Sequence, residues 1–159
     1  MFRAMRRSKQ QMSETAAVAI LQDATSGVLS LMGEDGYPYG VPMSYAYADG
    51  KLYFHSAVTG HKVDAIKQYE KASFTVVVQD DIVPEKYTTL YRSVIAFGKI
   101  RIVEDEAERV HGVKLLAEKY NPGEPEAGWR KEMTDCPNFL VLIMDIEHLS
   151  GKASRELVE

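Results

Sequence analysis

The sequence predicts a mainly β fold with helices, a closed or partly closed antiparallel barrel of six or so strands with three helical additions. Three observations carry this reading. Short extended apolar runs recur along the chain, Asp-Gly pairs at 35–36 and 49–50 supply the positive backbone angles of tight turns, and helical periodicity is confined to three stretches between the strands. The 159 residues, 45% hydrophobic and 26% charged, match one ordinary domain over 1–159, able to bury roughly two thirds of its unfolded surface.

The first helix is expected from Ser13 to Ala24. Ser13 can cap the unpaired amides, Glu14 suits the positive helix end, and Ala17, Ile20, Leu21 and Ala24 form an apolar stripe that Gly27 ends. Extended segments follow at Val28 to Met32, Tyr37 to Tyr47 and Lys51 to Ser56, and their turn residues predict an antiparallel meander. His61 to Tyr69 reads as a short helix with Val63 and Ile66 inward. Ala72 to Gln79 is β-branched and reads as a buried strand. A polar loop, Asp80 to Thr88, leads to a longer strand over Thr89 to Val103. The third helix runs from Asp105 to Tyr120, its inner face Val110, Val113, Leu116, Ala117 and Tyr120, and Asn121-Pro122-Gly123 stops it. Pro125 to Cys136 is polar and carries no clear period. Phe139 to Ile146 is the last strong strand, with Gly151, Lys152 and Arg155 in a tail beyond it.

Nineteen basic against 23 acidic residues give a net charge of -4, so nothing global points to nucleic acid or an anionic membrane. The basic cluster Arg3, Arg6, Arg7 and Lys9 lacks the apolar segment and cleavage site of a secretory leader. No run is long enough for a membrane span, and Cys136, the lone cysteine, cannot form an intrachain disulfide. The expectation is a mature cytoplasmic chain in a reducing compartment.

Several chemistries are missing. There is no Gly-x-Ser-x-Gly elbow, no Gly-x-Gly-x-x-Gly between strand and helix, no Walker loop, no paired cysteines and no His-Glu-x-x-His. The richest stretch is FHSAVTGHK, Phe54 to Lys62. It joins the Ser56 hydroxyl, the flexible Gly60, the free amides of a helix start and the Lys62 cation, which together suit a terminal phosphate. A capped surface helix with solvated His61 and Lys62 explains the same residue types. Because Phe54 and His55 alternate along a strand, one of them faces the interior. His55 and His61 are too isolated from carboxylate or thiolate partners for a metal site. Pro38 and Pro42 in GYPYGVPMSYAY keep that strand from full pairing on both sides, which leaves backbone groups for a planar ligand, and Tyr39, Tyr45 and Tyr47 offer flat walls or ordinary barrel packing. Arg92 and Ser93 stand just before an apolar strand, where a cation can complete an anion site from a neighbouring strand or subunit.

In order along the chain, Met5-Arg6-Arg7, Gly27-Val28-Leu29, Asp35 to Tyr39, Val41-Pro42, FHSAVTGHK, Tyr91 to Val94, Phe97-Gly98-Lys99 and Gly151-Lys152 resemble the flavin-binding split-barrel superfamily of pyridoxamine 5'-phosphate oxidases. Within it the chain is most similar to the Nim group, related to nitroimidazole resistance. The resemblance implies an antiparallel six-stranded split β-barrel with flanking α-helices. It further implies a homodimer with two FMN molecules in clefts between subunits.

Carried across, Val41, Pro42, Met43, Ser44 and Tyr45 border the flavin through backbone groups, and His55 and Ser56 follow it toward its tail. His61 and Lys62 meet the phosphate, and Ser93 approaches from the strand beyond. Gly40 stands where the oxidase pattern has an Arg and Tyr45 where it has a Lys, and the C-terminal Trp and Arg of the substrate pocket have no match, so pyridoxamine phosphate oxidation is not expected. The resemblance implies an FMN-dependent oxidoreductase passing electrons from a reduced carrier to a small aromatic acceptor such as a nitroimidazole. A His beside the flavin cleft can donate a proton to that acceptor, and His55 is the candidate, or else it only packs and hydrogen-bonds along the cofactor. The alternative is a flavin- or haem-binding protein with little turnover, in which His55 or His61 ligates iron.

Overall fold

In the computed structural model, which describes residues 1–158, seven antiparallel strands form one sheet in the order β2-β1-β5-β6-β7-β4-β3. The strands are β1 (Ser26–Met32), β2 (Pro38–Ser44), β3 (Ala46–Ala48), β4 (Lys51–Ser56), β5 (Lys71–Val83), β6 (Thr88–Ile102) and β7 (Leu140–Ala153). Between them lie α1 (Glu14–Asp23), α2 (His61–Gln68), α3 (Glu106–Tyr120) and α4 (Glu126–Asp135). The two edge strands, β2 and β3, are joined by Tyr45 alone. Edges one residue apart must lie side by side, so the sheet is rolled into a barrel with its seam at Tyr45.

Alternation along the strands fills this barrel. Leu29 and Leu31, Ala72, Phe74 and Val76, Val94, Ala96 and Ile100, Leu52 and Phe54, and Leu142 and Met144 all point inward and are buried. Phe74 meets the rings of Tyr45 and Phe54 edge-on at 4.8 and 5.3 Å. Truncating so enclosed a ring to Ala costs about 3–5 kcal/mol. Helix α1 adds Ala17 and Leu21 to this core, and α2 adds Ala65 and Ile66. A second cluster lies outside the barrel, where Tyr53, Val141 and Ile143 meet Leu116 of α3. With both faces covered, β7 is buried at four successive positions, Val141 to Met144.

Several expectations need correction. The barrel has seven strands, because Tyr45 divides the Tyr37 to Tyr47 segment into β2 and β3. These belong to two hairpins at opposite sheet edges, β1 with β2 and β3 with β4, rather than to one meander. Gly27 does not end α1. It sits in β1, where a Cβ would lie 2.6 Å from the Phe74 ring and the Thr75 carbonyl, so the residue serves close packing. Residues 80–83 are strand: β5 and β6 pair out to Val83 and Thr88, across a bulge between Val77 and Gln79. Asp80 and Asp81 give this exposed ribbon the look of a loop in sequence, although Ile82 and Val83 beside them are apolar. Pro125 to Cys136 contains α4, held by its buried Trp129, and the supposed tail residues Gly151 and Lys152 lie within β7, paired with Val94 and Ser93.

Candidate functional site

The end of β4 leads through a short loop into α2, and the residues gathered there are those singled out for anion binding. Gly60 takes φ 126°, which an L side chain rarely adopts, and no side chain caps α2. The first-turn amides of α2 therefore have no side-chain acceptor, at the helix end that favours negative charge. His61 stacks on Tyr39 of β2, ring centroids 3.9 Å apart and 17° from parallel. The Lys62 ammonium donates to Met43 Sδ at 3.7 Å. Thioether sulfur is a weak acceptor, so the cation retains most of its hydrogen-bonding capacity. Lys62 makes no ion pair among the described residues. Ser56 is buried beside the loop and its hydroxyl donates to the Ala57 carbonyl at 3.0 Å.

Strand β2 flanks this helix start. It pairs only with β1, so Pro38 and Pro42 sit on an edge strand where their missing donors are tolerated. Val41 and Met43 turn toward the core and pack on it; Pro42 and Ser44 are exposed on the other face. The structure thus brings Lys62 to Met43 and His61 to Tyr39, with Val41, Pro42 and Ser44 on the same edge strand and Ser56 at the start of the loop into α2.

Tyr45 is placed differently. Its ring is wholly buried, with the Lys119 ammonium 4.3 Å above it. Its amide donates to Tyr120 Oη at 2.9 Å, and its carbonyl accepts from the same hydroxyl at 2.7 Å. The Thr25 carbonyl shares the single Tyr120 hydroxyl proton with the Tyr45 carbonyl, and Lys119 donates to the Ala24 carbonyl. The end of α3 thereby fastens the barrel seam. The Tyr45 hydroxyl has no partner, and burial first, then the neighbouring Tyr120, pushes its pKa above the ordinary phenol range. Burial lowers the pKa of Lys119. Tyr120 reads in the sequence only as an inner-face helix residue and Lys119 carries no signal there, because the contacts they make span 75 and 95 positions.

Of the alternating pair on β4, Phe54 fills the barrel and His55 is exposed on the outer face. His55 lines a cavity of about 420 Å³ between the sheet and α3 and α4, walled by Leu116, Trp129, Met133 and Phe139 with Cys136. Trp129 and Met133, four apart, are the sequence signal of that wall. Ser93 lies elsewhere. It pairs with Val77 and Lys152, whereas Ser56 pairs with Leu140, twelve positions earlier on β7 (152 less 140). Among the described residues no group of three His, Cys, Asp or Glu side chains can hold a metal ion.

Comparison with known proteins agrees with this architecture. A candidate 5-nitroimidazole antibiotic resistance protein from Bacteroides thetaiotaomicron superposes with a TM-score of 0.75 at 21% identity, over 89% of this chain and 84% of that one. The flavocytochrome Anf3 from Azotobacter vinelandii gives 0.78 at 18% identity, over 95% and 72%. An FAD- and haem-binding protein from Mycobacterium smegmatis gives 0.71 at 20% identity, over 92% and 73%. No curated protein matches. The family model described as pyridoxamine 5'-phosphate oxidase matches residues 13–153. With nearly the whole barrel inside that match, the chain belongs to the pyridoxamine 5'-phosphate oxidase family of flavin-binding split barrels.

Proposed function

We propose that this chain is an FMN-binding oxidoreductase that passes electrons from a reduced carrier to a small aromatic acceptor, the nitroimidazoles being the acceptor class. The observation that carries the reading is the uncapped start of α2 beside edge strand β2, with Lys62 in no ion pair among the described residues. That donor set fits a phosphomonoester: the same helix start offers first-turn amides without a side-chain cap and an ammonium whose hydrogen-bond partner is a thioether. Asp64 is the one acidic residue in that turn. FMN would supply the electron uptake and release, and the protein the binding, orientation and proton supply.

His61, stacked on Tyr39, and Lys62 would hold the phosphate; β2 would border the ring. His55 lines the apolar cavity beneath α3 and α4, which has room for a small aromatic acceptor. An imidazole nitrogen there can deliver a proton to an acceptor that is gaining electrons. Apolar walls keep water off that acceptor.

Assembly is part of the proposal. Val28, Val77 and Pro42 lie exposed on the outer face of β1, β5 and β2, with Thr75 and Ile95 between them. A second copy covering this face would remove the apolar surface from water. It would also bring its own Ser93 toward a cleft that one chain leaves without it.

A second reading is favoured by the same cavity: a His at an apolar floor is also what a haem iron takes as axial ligand. Flavin released from the purified protein, with no sharp Soret band on haemin titration, supports the oxidoreductase; a Soret band with no flavin supports haem binding. For turnover, His55→Ala should retain FMN but slow reoxidation of the chemically reduced protein by a nitroimidazole by about tenfold to a thousandfold. Reoxidation by ferricyanide, which takes no proton, should stay fast. Slowing with both acceptors, or with neither, returns His55 to a structural role.

A further inference from the structure

At the opposite end of the sheet from α2, the N-terminal segment is tied to the end of β7. Met12 donates its amide to the Gly151 carbonyl at 2.9 Å, Gln11 bridges Lys152, and a short 3-10 turn, Ser8–Gln10, precedes them. This anchoring sets Arg6, Arg7 and Lys9 beside Lys152 and Arg155. A cavity of about 690 Å³ opens there, lined by Arg7, Gln10, Tyr87, Tyr91, Ser154 and Arg155. A neighbouring recess of about 500 Å³ is lined by Arg6, Arg7, Lys9 and Arg155.

Two features set this region apart from a solvated basic face. First, Arg6, Arg7, Lys9, Lys152 and Arg155 make no ion pair among the described residues, and Glu156 is the single carboxylate on the larger cavity's wall. In a chain of net charge -4 such a concentration of unpaired cations repels itself unless an anion joins it. Second, Gln10 and Ser154 line the cavity at 9% and 4% exposure, and Gln10 Oε1 and Ser154 Oγ have no hydrogen-bond partner. Buried polar atoms are nearly always paired, so two unpaired ones beside one cavity point to a missing partner. Around the cations, Tyr87 and Tyr91 offer flat aromatic faces.

We propose that this cavity is a second anion site, separate from the flavin phosphate site at α2, and that it binds a phosphomonoester carrying a planar ring, of the nucleoside monophosphate class. Arg7 and Arg155 take the phosphate with forked donors, with Arg6 in the adjoining recess; the Ser154 hydroxyl donates to the phosphate, Gln10 Oε1 accepts from an N–H or O–H of the nucleoside, and Tyr87 and Tyr91 stack on the ring. Within one chain, twelve positions of β7 separate Lys152 from Leu140, the partner of Ser56 at the α2 end, so one phosphate cannot reach both ends of the same chain.

The test is calorimetric titration of the full-length protein, saturated with FMN, by adenosine monophosphate (AMP). Saturable binding is expected, with adenosine at least tenfold weaker and inorganic phosphate competing. The double variant Arg6→Gln, Arg7→Gln changes exposed side chains only, and should weaken AMP at least tenfold while keeping its flavin. Absence of saturable binding, equal affinity for AMP and adenosine, failure of phosphate to compete, or full affinity in the double variant would each overturn the proposal. Loss of flavin from the double variant would also overturn it, by showing that the cavity is the cofactor's own phosphate site. A negative AMP titration with flavin retained leaves the flavoprotein reading intact.

Discussion

Tyr45 packs its ring against Phe74 and keeps a buried hydroxyl with no partner, an arrangement that costs stability. Removing an unsatisfied buried hydroxyl while keeping the ring should stabilise the fold, so Tyr45→Phe is expected to raise unfolding free energy by about 1 kcal/mol. The pH dependence has a definite sign. Burial raises the Tyr45 pKa in the fold above its ordinary value of roughly 10, so the unfolded chain loses that proton first. Stability linked to Tyr45 is complete below pH ~10 and falls as pH rises beyond it. The advantage of Tyr45→Phe over the parent should widen above pH ~10, as urea midpoints at pH 8 and pH 10.5 will show. Equal differences at both values would place the Tyr45 hydroxyl in contact with water.

At the scale of elements, α3 does more than cover β4 and β7. Its last residues fasten the one-residue junction where the sheet changes edge, and the Tyr120 hydroxyl serves both the amide and the carbonyl of Tyr45. Tyr120→Phe leaves those groups unpaired and should lower stability by about 1–3 kcal/mol, read as a lower urea midpoint at unchanged m-value. An unchanged midpoint would mean that water replaces the hydroxyl. Helices α1 and α3 were legible from caps and periodicity: the Ser13 side chain accepts from the Ala16 amide and that of Asp105 from the Glu108 amide. What escaped the sequence was long-range or ambiguous. The division at Tyr45 follows from barrel closure, residues 80–83, opened by two aspartates, form an exposed ribbon, and α4 presents only one face, anchored by Trp129, to the protein. The site shows the same split. The α2 start was legible because its parts are contiguous, whereas the cavity at His55, built from β4, α3 and α4, joins residues from His55 to Phe139.

For the whole molecule, the outer face of β1, β2 and β5 is the main unbalanced feature. Val77 is 62% exposed and Val28 39%, on an outer sheet surface that invites association. Light scattering at micromolar concentration should give twice the chain mass, and Val77→Glu, which places a charge on that face, should shift the mass toward the monomer with stability at low concentration preserved. A monomeric parent that still holds cofactor would remove the shared cleft from the account, and Ser93 with it.

The central claim, that α2 holds a flavin by its phosphate, is tested most directly by comparing FMN and riboflavin affinities in the parent and in Lys62→Glu. Lys62 is only partly buried at a helix start, so the charge reversal should spare the fold. A charge-assisted phosphate contact of roughly 1.5–3 kcal/mol corresponds to about tenfold to a hundredfold weaker FMN binding. Riboflavin, which has no phosphate, should change by less than about threefold. Equal losses for the two flavins, or no loss for either, would contradict the placement of the phosphate at Lys62.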